Sequence, residues 1–170
     1  MDNNRNSQLR LAGIHEAGHV VMRHHHGLIT PTVVIWPDGT GMTAPDGGII
    51  ESLEVRLDVA LGGQIAESQA GGPDVTPTRE LVDALIGDIE FGVDAEDLWG
   101  DYYQAVVTAR GQRPHWTKAD VTAALSASHE RGRGALRERW TVVGRLADAL
   151  VASVGVGLDQ GEIEAIFEQE

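Results

Sequence analysis

The amino-acid sequence predicts a mainly α-helical domain with one small β element between its first two helices. Three observations predict this fold class. Apolar residues recur at helical spacing through most of the chain, one short stretch is rich in β-branched residues, and glycine and proline mark the breaks. At 170 residues the chain has the length of one ordinary domain, and the sequence contains no internal repeat.

Three helices and a hairpin are predicted before residue 93. Apolar positions at helical spacing predict helices over residues 9–27, 52–70 and about 76–91, each with a glycine close to its end. Ser7 is the expected N-cap of the first helix. Residues 32–36 predict a strand, and the glycine-containing loop that follows offers a hairpin partner over residues 41–44.

The second half of the chain predicts further helices. Residues 94–99 are acidic and predict a short helix or a loop, and a helix follows over residues 102–110. Thr117 and Asp120 resemble a capping box at the start of the next helix, with Asp in place of Glu. The last two predicted helices span residues 140–154 and 158–167, the second with a cap near Asp159.

Charge and composition exclude several classes of function. The chain has 13 basic and 26 acidic residues, a formal charge of -13 with neutral histidines, and a pI of about 4.8. This balance argues against nucleic acids and anionic membranes as partners. The absence of cysteine excludes thiol catalysis and cysteine-ligated metals. The polar N-terminus and the lack of a run of about 20 apolar residues lead us to expect a cytoplasmic protein.

The motif with chemical content is HExxH, formed by residues 15–19 on the first predicted helix. Residues four apart on a helix lie on one face, so His15 and His19 can share one metal ion. Zinc accepts two neutral imidazoles and one carboxylate and keeps a position for water. Glu16 then lies close enough to take a proton from that water, and we expect a zinc site with Glu16 as general base.

A third protein ligand is required, and several carboxylates qualify. Asp74, Glu80 and Asp83 lie on or before the third helix, whereas Glu67 on the second helix suits a partner that orients a ligand histidine. The three consecutive histidines at 24–26 fan around the helix, and we expect a polar helix end there rather than a second metal site.

The residues resemble the peptidase domain of FtsH-type zinc metalloproteases. Four segments carry the resemblance in the same order: HEAGHV at 15–20, a strand and glycine-bearing turn at 33–41, ALGGQIAE at 60–67, and a C-terminal helix pair at 140–167. Together they cover most of the chain. The resemblance implies one peptidase domain over residues 1–170, with a metal-binding half (1–92) and a C-terminal helical half (93–170).

The resemblance also implies an aspartate ligand near the start of the helix after ALGGQIAE. Register places Glu80 there, with an apolar residue next to it and a small residue four positions on, so Glu80 is the preferred third ligand. Asp83 and then Asp74 are the alternatives. Residues 92–114 match no segment of the family.

The leading hypothesis is therefore a zinc-dependent metallopeptidase that acts without its own ATPase, since no phosphate-binding loop precedes the motif. Its expected substrates are unfolded protein segments or peptides, and the resemblance implies a possible homohexamer. The alternative is a non-catalytic or adaptor-type relative that binds zinc and a protein partner, or assembles with a separate ATPase. A narrow regulatory protease of the phage type is a third hypothesis, but it would not carry the other three segments.

Overall fold

The computed structural model of the protein describes residues 2–48, 50–73, 76–91 and 96–169. These residues form seven helices and three short strands, so the predicted mainly helical fold with a small β element is confirmed. In chain order the elements are α1 (Asp2–His25), β1 (Thr32–Ile35), β2 (Gly41–Thr43), α2 (Leu53–Gln69), α3 (Arg79–Glu90), α4 (Glu96–Gln112), α5 (Lys118–Glu138), α6 (Trp140–Ala152), β3 (Leu158–Asp159) and α7 (Gln160–Phe167).

Helices α1 and α2 cross at glycines. A Cβ atom added to Gly18 would lie 2.3 Å from the carbonyl oxygen of Gly62, and one added to Gly62 would lie 2.8 Å from that of Gly18. Only glycine allows two helix backbones to approach this closely. Fully buried side chains on both helices, Ala17 and Leu61 among them, continue the contact into the core. The crossing brings the HExxH residues against α2.

The three strands form an antiparallel sheet in the order β2-β1-β3. Val33 pairs with Thr43 on one side and with Leu158 on the other. The β-branched side chains of Val33 and Ile35 are fully buried against the helices, which is the pattern that predicted this strand. Among the residues that the structure describes, β2 has one neighbour in the sheet, so its other side is an open edge.

Two predicted boundaries are wrong. Helix α1 begins at Asp2 rather than near Ser7, because its first residues are polar and carry no apolar periodicity to mark them; residues 5–8 are exposed. Leu158 and Asp159 form strand β3 instead of a helix, since they pair with β1. The predicted cap at Asp159 is confirmed. Its side chain accepts a hydrogen bond from the backbone N–H of Glu162 at the start of α7.

Helix α4 has a break just before a residue of the candidate site. Gly100 has φ 44° and ψ -117°, a backbone conformation that favours glycine, and the helix resumes at Asp101. Further along, the predicted capping box of Thr117 and Asp120 is confirmed at the start of α5. None of the helices in the described part of the chain combines the length and the apolar character needed to cross a membrane.

Candidate metal centre

The two histidines of the HExxH motif lie one turn apart on α1 and face each other. Their ring centroids are 4.9 Å apart, and the two Nε2 atoms are separated by 3.1 Å. Both side chains are mostly buried, with 19% of His15 and 14% of His19 exposed. The helical spacing of the motif therefore brings the two imidazoles to one point, as the sequence predicted.

Helix α2 determines which ring nitrogen of each histidine is free. The Nδ1 atom of His19 lies 2.8 Å from the backbone carbonyl of Val59, and that of His15 lies 2.8 Å from Oε1 of Glu67. A carbonyl and a carboxylate accept hydrogen bonds, so both Nδ1 atoms carry the proton in the neutral rings. Each Nε2 atom then presents a lone pair. Glu67 has the orienting position that the sequence analysis gave it.

A carboxylate from α4 completes the group. Oδ2 of Asp101 lies 3.4 Å from Nε2 of His15 and 3.2 Å from Nε2 of His19, and it has no hydrogen-bond partner. Among the described residues, these three side chains form the one group whose geometry suits a metal ion. With both imidazoles neutral and protonated at Nδ1, these three atoms are all acceptors, and they repel at these distances unless a proton or a metal cation lies between them.

The electrostatics of the group favour positive charge. Burial alone would lower the pKa of His19, but the Asp101 carboxylate beside it raises this pKa to about 9. Burial of Asp101 would raise its pKa, yet the two histidines hold the pKa of this carboxyl below its ordinary value. The same field that retains a proton here would retain a metal cation.

Gly63 leaves room beneath the imidazoles. A Cβ atom at this position would lie 2.5 Å from Nε2 of His15 and 2.6 Å from Nε2 of His19. Val59, Gly63 and Glu67 are spaced four residues apart, so one face of α2 supplies a carbonyl acceptor, an open space and a carboxylate. One face of α2 thus supplies the immediate surroundings of both imidazoles.

Glu16 lies beside this group, between α1 and β2. Its side chain is buried, at 6% exposure, and its Oε2 atom accepts a 2.7 Å hydrogen bond from the Thr43 hydroxyl. His15, Glu16, His19, Thr43 and Asp101 line the same cleft. A carboxylate next to a cation site and open to a cleft can accept a proton from a water molecule bound there.

The structure does not bring the preferred third ligand to the histidines. Glu80 is exposed on α3, and Asp83 on the same helix pairs with Arg79 four residues earlier. Asp74 lies outside the described residues. The carboxylate at the site is Asp101, which lies on α4. Along the chain α3 comes between α2 and α4, so the helix that directly follows α2 is not the one that reaches the histidines. The centre therefore draws residues from both proposed halves of the chain, 1–92 and 93–170.

The sequence does contain a signal for Asp101. The pattern that selected Glu80, an apolar residue next to the acid and a small residue four positions on, occurs at Asp101 with Tyr102 and Ala105, which are both buried. Asp101 also keeps the aspartate residue type. Asp101 lies in the segment 92–114, which matches no part of the family, beyond the predicted third helix that contains Glu80 and Asp83.

A second buried polar group lies on the other side of α2 from Glu67, centred on Asp58. Oδ1 of Asp58 accepts from the Ser128 hydroxyl at 2.7 Å and from Nη2 of Arg131 at 2.7 Å. Oδ2 accepts from Nε of Arg131 at 3.2 Å and lies 3.1 Å from Nε2 of His26. We call these four residues the Asp58 cluster. Asp58 is 1% exposed, and both of its oxygens have donors.

The other histidines of the 24–26 run contribute to packing. His24 stacks on Phe167 with ring centroids 3.8 Å apart, and His25 contacts His26 edge to face. In line with the sequence-based expectation, they lie at the end of α1 and point in different directions.

A comparison with models of known protein families finds none that matches this chain, and a comparison with curated proteins finds no significant similarity.

Proposed function

We infer that this protein is a zinc-dependent metallopeptidase, with His15, His19 and Asp101 as metal ligands and Glu16 as general base. One observation carries the inference: three acceptor atoms converge within 3.4 Å of one another, beside a buried glutamate in the same cleft. A purely structural polar group would be expected to contain a permanent donor for these acceptors, such as a guanidinium or a hydroxyl, and none of these three side chains has one.

The donor set fits zinc. Two neutral imidazoles and one carboxylate form a common set of protein ligands for catalytic zinc, which keeps a further position open. The hydrogen bonds from each Nδ1 to Val59 and Glu67 are the outer contacts that orient such ligands. The unpartnered Oδ2 of Asp101 and the space left by Gly63 are further features that suit a bound cation.

The proposed reaction divides into what the ion supplies and what the chain supplies. Zinc, when bound, polarises the peptide carbonyl and makes a bound water more acidic. Glu16 accepts a proton from the attacking water and transfers it to the amide nitrogen as the C–N bond breaks. Val59 and Glu67 keep the ligand nitrogens directed into the cleft. The buried position of Glu16 keeps its carboxylate near the reacting atoms.

The open edge of β2 supports an extended peptide as substrate. Trp36, directly after β1, donates its backbone N–H to the Thr40 carbonyl, and Ala44 donates to the carbonyl of Thr32 in β1. Because an antiparallel ladder alternates, the backbone groups of Gly41 and Thr43 face the open edge. Such an edge can pair with an extended segment of another chain. We therefore propose unfolded protein segments or peptides as substrates.

The resemblance to FtsH-type peptidase domains supports the same activity. That resemblance implies an aspartate as third ligand, and Asp101 supplies this residue type where Glu80 would not. The segments at 15–20 and 60–67 carry most of the resemblance. The second contributes Glu67, which accepts from His15, and Gly63, whose position on α2 faces both imidazoles; Val59 directly precedes it.

The experiment is cleavage of unfolded casein by purified protein loaded with zinc, before and after removal of zinc by a chelator. We expect cleavage that stops on chelation and returns with added zinc. Glu16→Gln should retain zinc and lose activity by roughly 100-fold or more, because general-base catalysis contributes about that much. Cleavage that persists in Glu16→Gln would contradict the mechanism. Zinc binding without any cleavage by the natural chain would favour the adaptor-type alternative.

A further inference from the structure

We propose that Thr43 is a positioning residue whose hydroxyl holds the Glu16 carboxylate in its working orientation. The inference rests on the proposed function, because it assigns a partner to the general base of that reaction. It adds a residue of β2 to a site otherwise built from α1, α2 and α4.

The hydrogen bond between the two side chains is short and directional. The Thr43 hydroxyl lies 2.7 Å from Oε2 of Glu16 and 3.3 Å from the backbone carbonyl of Glu16. Both of these oxygens accept, so the hydroxyl donates its single proton, and the closer carboxylate oxygen receives it. Within the described residues, this is the hydrogen bond that the Glu16 carboxylate receives.

Gly41 restricts the same carboxylate from a second direction. A Cβ atom at Gly41 would lie 2.5 Å from Oε1 and 2.6 Å from Cγ of Glu16. Gly41 and Thr43 are two residues apart on a strand, so they lie on the same face of β2. The strand therefore contacts Glu16 with a donor at one oxygen and with bare backbone beside the other.

In this arrangement the two oxygens of the Glu16 carboxylate have different roles. Oε2 is engaged by the Thr43 hydroxyl, so Oε1 is the oxygen left to accept the proton of the attacking water. The terminal torsion of a glutamate side chain has a broad energy minimum, and without a partner its carboxylate would sample many orientations. A general base that is held in one orientation spends more of its time within reach of the proton.

The test replaces the hydroxyl without changing the shape of the side chain. Thr43→Val should lower kcat by roughly 10- to 100-fold, a part of the general-base contribution, with KM and zinc content within about twofold of the natural chain. Thr43→Ser keeps the hydroxyl and should recover most of the lost turnover. Thr32→Val is the matched control, because Thr32 lies on the neighbouring strand and donates to the Leu158 carbonyl, away from Glu16. It should leave kcat unchanged.

Crystal structures of the metal-free proteins supply a readout that does not depend on activity. The Glu16 carboxylate should keep its place in Thr43→Ser and Thr32→Val and rotate away in Thr43→Val. Natural turnover in Thr43→Val, or an unmoved carboxylate, would overturn the assignment. If the natural chain shows no chelator-sensitive cleavage, the proposed function fails, and the carboxylate positions alone then decide whether Thr43 holds Glu16.

Discussion

The metal centre and the Asp58 cluster are both buried groups of histidine and aspartate, and they differ in what completes them. Each joins α2 to the α1 region and to one later helix, α4 in the first case and α5 in the second. Asp58 accepts a hydrogen bond from Ser128 at Oδ1 and hydrogen bonds from Arg131 at both oxygens. At the candidate metal centre, Oδ2 of Asp101 faces the Nε2 atoms of two histidines, and these three atoms are linked only when a proton or a metal cation is bound between them.

We interpret this difference as that between a structural polar group and the proposed metal site. A buried carboxylate with a full set of donors stabilises the packing of the helices around it, and its removal leaves those donors unsatisfied. A buried carboxylate that faces other acceptors lacks permanent hydrogen-bond donors within the chain. Such a carboxylate needs a cation from solution, either a proton on an imidazole or the metal ion that we propose. The same aspartate-to-asparagine substitution should therefore mainly lower zinc affinity at Asp101 and mainly lower the free energy of unfolding at Asp58.

The largest effect is expected at the metal centre. Asp101→Asn removes the one anionic ligand, so zinc affinity should fall by well over the roughly 100-fold that the loss of an outer-shell partner costs. In the metal-free protein the free energy of unfolding should not fall at pH values above about 9, where His19 is neutral, and it should fall toward neutral pH, where the Asp101 carboxylate raises the pKa of His19 and stabilises its protonated form. Titration calorimetry with zinc and chemical denaturation measure the two quantities. Unchanged zinc affinity would remove Asp101 from the site.

The second effect is expected in the Asp58 cluster. Asp58→Asn presents an amide to donors from Ser128, Arg131 and His26, so the free energy of unfolding should fall by about 3 kcal/mol. Zinc affinity should stay within about twofold of the natural chain. Urea denaturation of the metal-free variant gives the first value. A loss of zinc binding without a loss of stability would show that the two groups are not distinct.

The third effect concerns the outer contacts of each group. Glu67→Ala removes the acceptor from Nδ1 of His15 and should weaken zinc binding by about 10- to 100-fold. Glu54→Ala is the matched control: Glu54 is 61% exposed and contacts Arg131 at 3.1 Å at the rim of the Asp58 cluster. An exposed ion pair contributes about 0–1 kcal/mol, so neither zinc affinity nor stability should change much. Equal zinc affinities in the two variants would contradict the role of Glu67.

The same comparison shows which parts of the site were accessible from the sequence. His15, Glu16 and His19 lie within about one turn of α1, so helical periodicity alone places the side chains of His15 and His19 on one face. Glu67 was also accessible, since the spacing along α2 places it with the glycines of that helix. In these cases local geometry determines the outcome.

Asp101 was not accessible in the same way, because its approach depends on tertiary structure. Helix α3 separates α2 from α4 along the chain, and the break at Gly100 turns α4 so that Asp101 reaches the histidines. The short strand β3 was missed for a related reason: Leu158 is in a strand only because β1 lies beside it. Long-range pairing of this kind leaves no periodic trace in a short segment.

The central claim is that one metal ion joins His15, His19 and Asp101. A crystal structure of the zinc-loaded protein, with anomalous diffraction collected on both sides of the zinc absorption edge, tests it most directly. The account predicts one strong anomalous peak within about 2.0–2.2 Å of Nε2 of His15, Nε2 of His19 and a carboxylate oxygen of Asp101. A peak at Glu80, Asp83 or the histidines at 24–26 instead, or no peak at saturating zinc, would contradict it.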